Sequence, residues 1–306
     1  MNVLVTGGAG FIGSHVVELL LEQGHSVGVV DSLSTGKKEF VSPSVKLFPV
    51  DICSPAVEAA FPGVEAVIHL AAQASVSKSL TDPDKDAETN ILGTVRVLKC
   101  CQKYNVRKII YATTAAEIGE PEIIPIDEKH PVRPLSPYGL SKAGGEEYVR
   151  WYGRQYQIPF TILRYANVYG PRQDHSGEGG VVAIFVSRCL SGAPLTIFGA
   201  GTQTRDFVFV KDVAQATVRM LTQGEGKKYN VGSGKETSIL ELSGMIQELL
   251  RKVPVQHLPV RAGDIQRSVF SIHAITHETG WKPEKNLRDG IQETIAYHEK
   301  IGKTKY

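Results

Sequence analysis

Thr6-Gly7-Gly8-Ala9-Gly10-Phe11-Ile12-Gly13 follows the apolar run Val3–Thr6 and leads into a helical pattern over His15–Glu22, and this stretch decides the fold. Glycines between a strand and a helix permit a tight turn, let the backbone approach a pyrophosphate and let the helix pack closely on its sheet. The helix N-terminus then offers N–H donors to phosphate oxygens. A glycine repeat alone is weak evidence, since such turns also occur without a ligand. Its context strengthens it: a second apolar run, Val27–Val30, ends at Asp31, eighteen residues past Gly13. A carboxylate there accepts hydrogen bonds from an adenosine ribose and repels a 2′-phosphate, which favours NAD over NADP.

Further out, Val45–Val50, Ala66–Leu70, Lys108–Ala112 and Phe160–Arg164 are strand candidates, with helical patterns at Asn90–Tyr104 and Tyr138–Gln157. Such alternation predicts an α/β fold, a Rossmann-like doubly wound parallel sheet. After Gly170, a glycine-rich stretch to Gly180 and shorter elements divided by Gly and Pro mark a smaller C-terminal α/β substrate lobe. The expected division is 1–166 for the NAD-binding domain and 167–306 for the lobe. Because Asp206–Val210 is strand-like and precedes a helix near Val213–Leu221, the chain is expected to rejoin the first domain over about 205–231.

At 306 residues the chain exceeds the size at which one core usually stays undivided. A charged fraction of 22% and a net charge of +2, with no basic tract, argue against a nucleic-acid partner. Cys53, Cys100, Cys101 and Cys189 show no CxxC and no ligand-like Cys/His spacing, so neither a disulfide framework nor a metal site is expected. Cys100 and Cys101 fit a packed helix face. With no leader pattern and no apolar run of bilayer length, a cytoplasmic protein without a membrane partner is the expectation.

Tyr138-Gly139-Leu140-Ser141-Lys142 sets a phenol and an ammonium four residues apart, on one face of a helix. A free phenol titrates at about 10; a nearby Lys142 ammonium, assisted by the positive nicotinamide ring, favours phenolate, so that Tyr138 can act as a general base. An exposed helix with a packed Tyr and a solvated Lys shows the same spacing. What separates the two readings is the surrounding sequence. A dinucleotide motif lies upstream, and the fifth strand ends in Tyr111-Ala112-Thr113-Thr114, placing hydroxyls where an open sheet holds its ligands. Thr114 can hydrogen-bond a reacting hydroxyl, whereas His15, just past the glycine loop, reads as a helix residue.

The glycine motif, Asp31, the HLAA run His69–Ala72, the threonines, the Tyr138/Lys142 pair and RYANVYGPRQ from Arg164 to Gln173 together resemble the extended short-chain dehydrogenase/reductases. Within these the chain most resembles the UDP-glucose (UDP-galactose) 4-epimerases of galactose metabolism, over nearly its whole length. The resemblance implies that Tyr138, with Thr114 and Lys142, removes the C4 hydroxyl proton while a hydride leaves C4 for NAD. The 4-keto sugar then swings about its diphosphate link and takes the hydride back on its other face. Ala115 and Ala116 sharpen this, since family dehydratases carry Asp-Glu there and decarboxylases carry Glu at the second position.

The same resemblance implies binding residues. Around the cofactor it points to Gly7, Gly10, Phe11, Ile12 and Gly13 in the loop, and to Asp31, Ser32, Ser34, Thr35 and Gly36 after the second strand. Asp51 and Ile52 would meet the adenine, Leu70, Ala71 and Ala72 would lie behind the fourth strand, and Asn90, Thr113, Tyr138, Lys142 and Tyr165 would complete the site. The nucleotide sugar would be held by Thr114, Asn167, Val181 and Val182, by the TIFG edge through Thr196 and Phe198, and by Arg205, Arg261 and Asp264; guanidinium forks suit phosphate. Departures from the family are Glu117 for an apolar residue, Ile118 for Tyr and Ser271 for Asp, the first two expected to alter the rim of the sugar pocket. Ser268, where some members have a bulky Tyr, would admit N-acetylated hexoses.

Other readings stay open. A UDP-glucuronate 4-epimerase uses the same oxidation, though such relatives tend to carry Thr where Asn167 lies; a decarboxylase or dehydratase ranks below it. A non-catalytic NAD-binding regulator is disfavoured by the intact Tyr138, Lys142 and Thr114. By resemblance the chain forms a homodimer through a four-helix bundle built from helices such as Asn90–Tyr104 and Tyr138–Gln157.

Overall fold

A computed structural model describes residues 1–175, 180–260 and 264–303. The chain begins with β1 (Asn2–Thr6), α1 (Phe11–Glu22), β2 (Ser26–Val30), β3 (Lys46–Phe48), β4 (Ala66–His69), α2 (Val76–Thr81) and α3 (Pro83–Ala87). A π-helical turn, Glu88–Gly93, leads into α4 (Thr94–Lys103), β5 (Lys108–Thr114), α5 (Pro137–Tyr156) and β6 (Phe160–Tyr165). Next come β7 (Asn167–Tyr169), α6 (Val181–Ser191), β8 (Leu195–Phe198), β9 (Thr204–Phe209), α7 (Val210–Arg219) and β10 (Lys227–Val231). The last elements are β11 (Glu236–Ser238), α8 (Ile239–Leu249), β12 (Val255–Leu258), α9 (His273–Thr279) and α10 (Leu287–Lys303).

Seven parallel strands form the main sheet in the order β10-β6-β5-β4-β1-β2-β3. Its inner strands are buried on both faces, so they are continuous apolar runs such as Val3-Leu4-Val5 and Ala66-Val67-Ile68. On one face Val16, Val17 and Leu20 of α1 pack with Val213, Ala214 and Val218 of α7. On the other, Val97 and Leu98 of α4 pack with Val149 and Tyr152 of α5, and Cys100 and Cys101 are buried there as expected. Helices on both sides of a parallel sheet make the fold Rossmann-like. A smaller core joins α6, α8 and α10 through Val186, Ile246 and Ile291, beside the three-stranded sheet β11-β9-β7 and the pair β12-β8.

Three expectations need correction. Asn90–Tyr104 is not one regular helix: its first turn is π-helical, with Asn90 inside it. The third strand is shorter than Val45–Val50, covering Lys46–Phe48. Asp206–Val210 does extend a strand, but β9 pairs with β7 and β11 rather than joining the main sheet. It is α7, lying on α1, and β10, pairing in parallel with β6, that return to the first half of the chain.

Candidate active site at the crest of the parallel sheet

The glycine loop meets the carboxyl end of β1 and turns directly into α1, whose N-cap, Gly10, supplies no side-chain hydrogen bond to the first helical amides. Gly7 has φ +73, and a Cβ there would lie 2.8 Å from the Ala71 nitrogen; a Cβ on Gly13 would lie 2.1 Å from the Gly7 carbonyl oxygen. Only glycine brings loop, helix and the turn after β4 this close, and the N-terminal end of α1 is the positive end of its dipole. Asp31 braces the loop by accepting from the Ala9 nitrogen at 3.0 Å and the Leu33 nitrogen at 2.8 Å. Ser32, Ser34 and Thr35 are exposed beyond it, while Ile52 is buried. A close-packed glycine turn at a helix N-terminus fits a dinucleotide pyrophosphate.

His69, which opens the HLAA run, is fully buried between the Thr6 hydroxyl at 2.6 Å and the Thr94 hydroxyl at 3.0 Å. Burial, with the Lys142 charge adding to it, pushes the imidazole down to about 3, so it works as a neutral strut between β1 and α4. His15 is likewise buried in α1, with Nε2 3.0 Å from the Pro171 carbonyl oxygen.

Ser136 caps α5 by accepting from the Gly139 nitrogen at 3.2 Å, and Pro137 fills the first helical position. The helix therefore starts one residue before Tyr138 and aims its first turns across the end of β5. Tyr138 is half-buried and hydrogen-bonds Thr114; Lys142, one turn on, is buried with its ammonium 4.2 Å from the centre of the Tyr111 ring. The expected phenol–ammonium–hydroxyl group is thus assembled, but its electrostatics differ from the simple reading. Burial pushes the Tyr138 phenol up to about 12, and the Asp86 and Glu117 charges act the same way against the Thr114 hydrogen bond. Burial pushes the Lys142 amine down to about 7 despite Glu117, Asp86 and Glu146. Lys142 therefore does not by itself hold Tyr138 ionised: desolvation disfavours the charged form of each.

Other expected residues are placed differently from one another. The side chain of Asn90 is engaged inside the protein, donating to the Gln73 carbonyl oxygen, Asp86 and the Ser141 hydroxyl at 3.0, 3.1 and 2.9 Å. Thr113 donates to Glu117 at 2.5 Å, and the Tyr165 hydroxyl lies 2.7 Å from that of Thr217, so both hydroxyls are engaged inside the protein. Leu70, Ala71 and Ala72 line the turn after β4, half-buried. Asn167, at the start of β7, is exposed. Arg205 and Asp264 meet at 2.5 Å although 59 residues apart, and Gln203 reaches the same carboxylate at 3.3 Å. Along the TIFG edge the Phe198 carbonyl already accepts from Gln203 at 3.0 Å and the Thr196 hydroxyl from Arg188 at 2.8 Å. Val182 is buried and Val181 half-buried at the start of α6. Arg261 lies outside the described residues.

Glu117 and Ile118 do not form a pocket rim. Both are buried: Ile118 packs with Ile126 and Phe270, and Glu117 sits on Arg164 and Lys228. No local pattern signals this, because Arg164 and Lys228 lie 47 and 111 residues further along the chain. Ser271 pairs its nitrogen with the Ile126 carbonyl oxygen at 2.7 Å in the same region. Among the described residues no group of three or more His, Cys, Asp or Glu could hold a metal ion, and no helix is long and apolar enough to cross a membrane.

A glycine cradle at the first crossover and a Tyr–Thr–Lys group at the carboxyl ends of the neighbouring strands define a dinucleotide-dependent enzyme acting on a hydroxyl or carbonyl carbon. The comparisons agree: the chain belongs to the NAD-dependent epimerase/dehydratase family, whose profile matches residues 3–232. A UDP-glucose 4-epimerase of Mycolicibacterium smegmatis is 41% identical over 97% of this chain and 98% of its own length. A UDP-glucose 4-epimerase of Thermotoga maritima, solved with UDP-glucose, superposes with a TM-score of 0.96 at 41% identity over 98% of this chain and 99% of its own. The Thermus thermophilus enzyme of the same name, solved with NAD, gives a TM-score of 0.93 at 44% identity over 98% and 99%.

Proposed function

We infer that the chain is an NAD-dependent UDP-hexose 4-epimerase interconverting UDP-glucose and UDP-galactose. The observation that carries this within the family is the turn after Thr114. Ala115 and Ala116 offer no acid or base, and the one carboxylate beside them, Glu117, is turned inward onto Arg164 and Lys228 at 2.5 Å each. Nothing in that turn can protonate a departing 6-hydroxyl or take a C5 proton, so elimination lacks its groups while reversible C4 oxidation has them.

In this reading Tyr138 takes the C4 hydroxyl proton, Thr114 holds the reacting oxygen, and Lys142 binds beside the cofactor ribose. NAD, when bound, supplies the acceptor for the C4 hydride and a cationic ring that favours the Tyr138 phenolate. Asp31 selects NAD by its charge. Asn167, Arg205, Asp264 and Arg261 grip the diphosphate and uridine, with the Arg205–Asp264 pair reorganising around the ligand. Anchoring at the nucleotide fixes the reacting carbon yet leaves the sugar ring able to turn over. Ser268, small and buried, extends the range to N-acetylated hexoses.

Residues 1–166 with 210–231 serve as the NAD-binding domain and the remainder, β9 included, as the nucleotide-sugar lobe of a cytoplasmic homodimer. An apolar stripe supports the dimer: Leu140, Tyr148 and Trp151 on α5 and Leu92 beside it are exposed together. Purified protein incubated separately with UDP-galactose, UDP-N-acetylgalactosamine and UDP-galacturonate is expected to invert C4 of the first two. Failure to convert UDP-galactose would overturn the assignment, and inversion of the uronate alone would move it to a UDP-glucuronate 4-epimerase.

A further inference from the structure

We propose that Glu117 is a positioning residue for the C4 chemistry, locking the crest of β5 to the helix that carries Tyr138 and Lys142; the proposal rests on the epimerase reading above. The carboxylate is fully buried. Its Oε1 accepts from Arg164 Nε and Lys228 Nζ, each at 2.5 Å, and its Oε2 accepts from the Thr113 hydroxyl at 2.5 Å. Thr113 precedes Thr114, the hydrogen-bond partner of Tyr138. Lys228 also lies 2.8 Å from Glu146 Oε2. Tyr138, Lys142 and Glu146 are spaced by four along α5 and share its inward face. One carboxylate thus ties β5, β6 and β10 together and, through Lys228, reaches the helix face that bears the reacting phenol.

Stability alone does not account for such an arrangement. Replacing a buried ion cluster with packed apolar residues is often neutral or stabilising, whereas charged hydrogen bonds fix geometry. Burial would raise the Glu117 carboxyl, yet Arg164, Lys228 and the Thr113 hydroxyl hold it below the ordinary carboxylate value, so it stays charged. The other charged or titratable groups facing this cluster are Arg150 on Glu146, Asp86 of α3, Tyr111 of β5 under the Lys142 ammonium, and Glu128, which accepts from the Asn230 nitrogen. Asn230 itself accepts from Arg164 at 3.1 Å. With those unchanged, removing the Glu117 charge leaves Tyr138 and Lys142 in a more positive setting and lowers both titrations. Removing the Lys228 charge raises both.

The test compares Glu117→Gln, Lys228→Met and the double variant in the NAD-containing enzyme, with kcat, KM and the pH profile of kcat. Each single variant is expected to lower kcat roughly 10- to 100-fold with KM little changed, the cost of misplacing reacting groups. The acid limb moves to lower pH in Glu117→Gln and to higher pH in Lys228→Met, and returns near the wild-type position in the double variant while kcat stays low. Single variants that lose only thermal stability, with kcat and limb unmoved, overturn the proposal. Should Glu117→Gln fail to fold, Thr113→Val keeps every charge and is expected to lower kcat without moving the limb; wild-type kcat there overturns the proposal. In cofactor-free protein, carbon-13 NMR of labelled lysines follows Lys142 directly, and opposite shifts in the two single variants are expected. If the wild type converts no UDP-hexose, the epimerase reading fails by itself, and the lysine shifts still decide whether Glu117 governs the pair.

Discussion

Two sets of ionisable groups lie side by side under the end of the main sheet, and they are treated in opposite ways. Glu117, Arg164, Lys228 and Glu146 set two carboxylates against two cations in a dry interior, and these neighbours hold the Glu117 carboxyl below its ordinary value. Tyr138 and Lys142 have no such compensation: burial drives the phenol up to about 12 and the amine down to about 7. The first set resists change. In the second, burial disfavours the charged form of both groups. What separates the two sets is whether each buried charge has a fixed partner.

That contrast can be broken at its reactive side first. Tyr138→Phe is expected to lower turnover roughly 10³-fold with the melting temperature unchanged or raised, since the variant loses a proton acceptor but no strong partner. Steady-state assays beside thermal melts check it, and near-normal turnover would remove Tyr138 from the chemistry. On the matched side the order reverses. Arg164→Met, which leaves Glu117 with fewer cations, should cost about 3 kcal/mol or more of stability in denaturant titration. A loss under about 1 kcal/mol would mean that the cluster is not the fixed set its distances describe.

Lys142 provides a sharper distinction through pH. Its folded value is about 7 and its ordinary value 10.5, so between these the unfolded chain binds more protons than the folded one. The contribution of Lys142 to folding therefore becomes more favourable as pH rises through that window, and the penalty is full below it. Denaturant midpoints should climb more steeply with pH in wild type than in Lys142→Met, and identical slopes would contradict the depressed amine. The smallest effect belongs to Arg150, which touches Glu146 at 2.8 Å from a partly exposed position. Arg150→Ala should cost about 0.5 kcal/mol, and a loss of several kcal/mol would enlarge the cluster to include it.

What could be read in the sequence follows the same division. The glycine loop, Asp31 and the Tyr138/Lys142 pair announce themselves because their function depends on local spacing, a turn between strand and helix or one helical face. The inner strands of the main sheet are legible because burial on both faces makes them continuous apolar runs, whereas the edge strand β10, Lys-Lys-Tyr-Asn-Val, carries no such run and is not among the strand candidates. Glu117 was misread as a rim residue, since its partners come from β6 and β10 and no local pattern joins them. The internal partners of Tyr165 and Thr113 escape the sequence for the same reason, their hydroxyls being taken by Thr217 and Glu117. Likeness to a family names Arg205 and Asp264 as binding residues but does not place them on each other, because two residues 59 apart carry no periodic signal.

The position of β10 has a consequence for how this chain can be divided. One of the two edge strands of the main sheet is made from residues 227–231, after β7, α6, β8 and β9 have been laid down. A fragment stopped near residue 170 would expose the whole hydrogen-bonding edge of β6 and strand Glu117 without its lysine. Excising the nucleotide half as a portable module should therefore yield a sticky, incomplete body, and a nascent chain must wait for residue 231 to leave the ribosome before its first sheet can close.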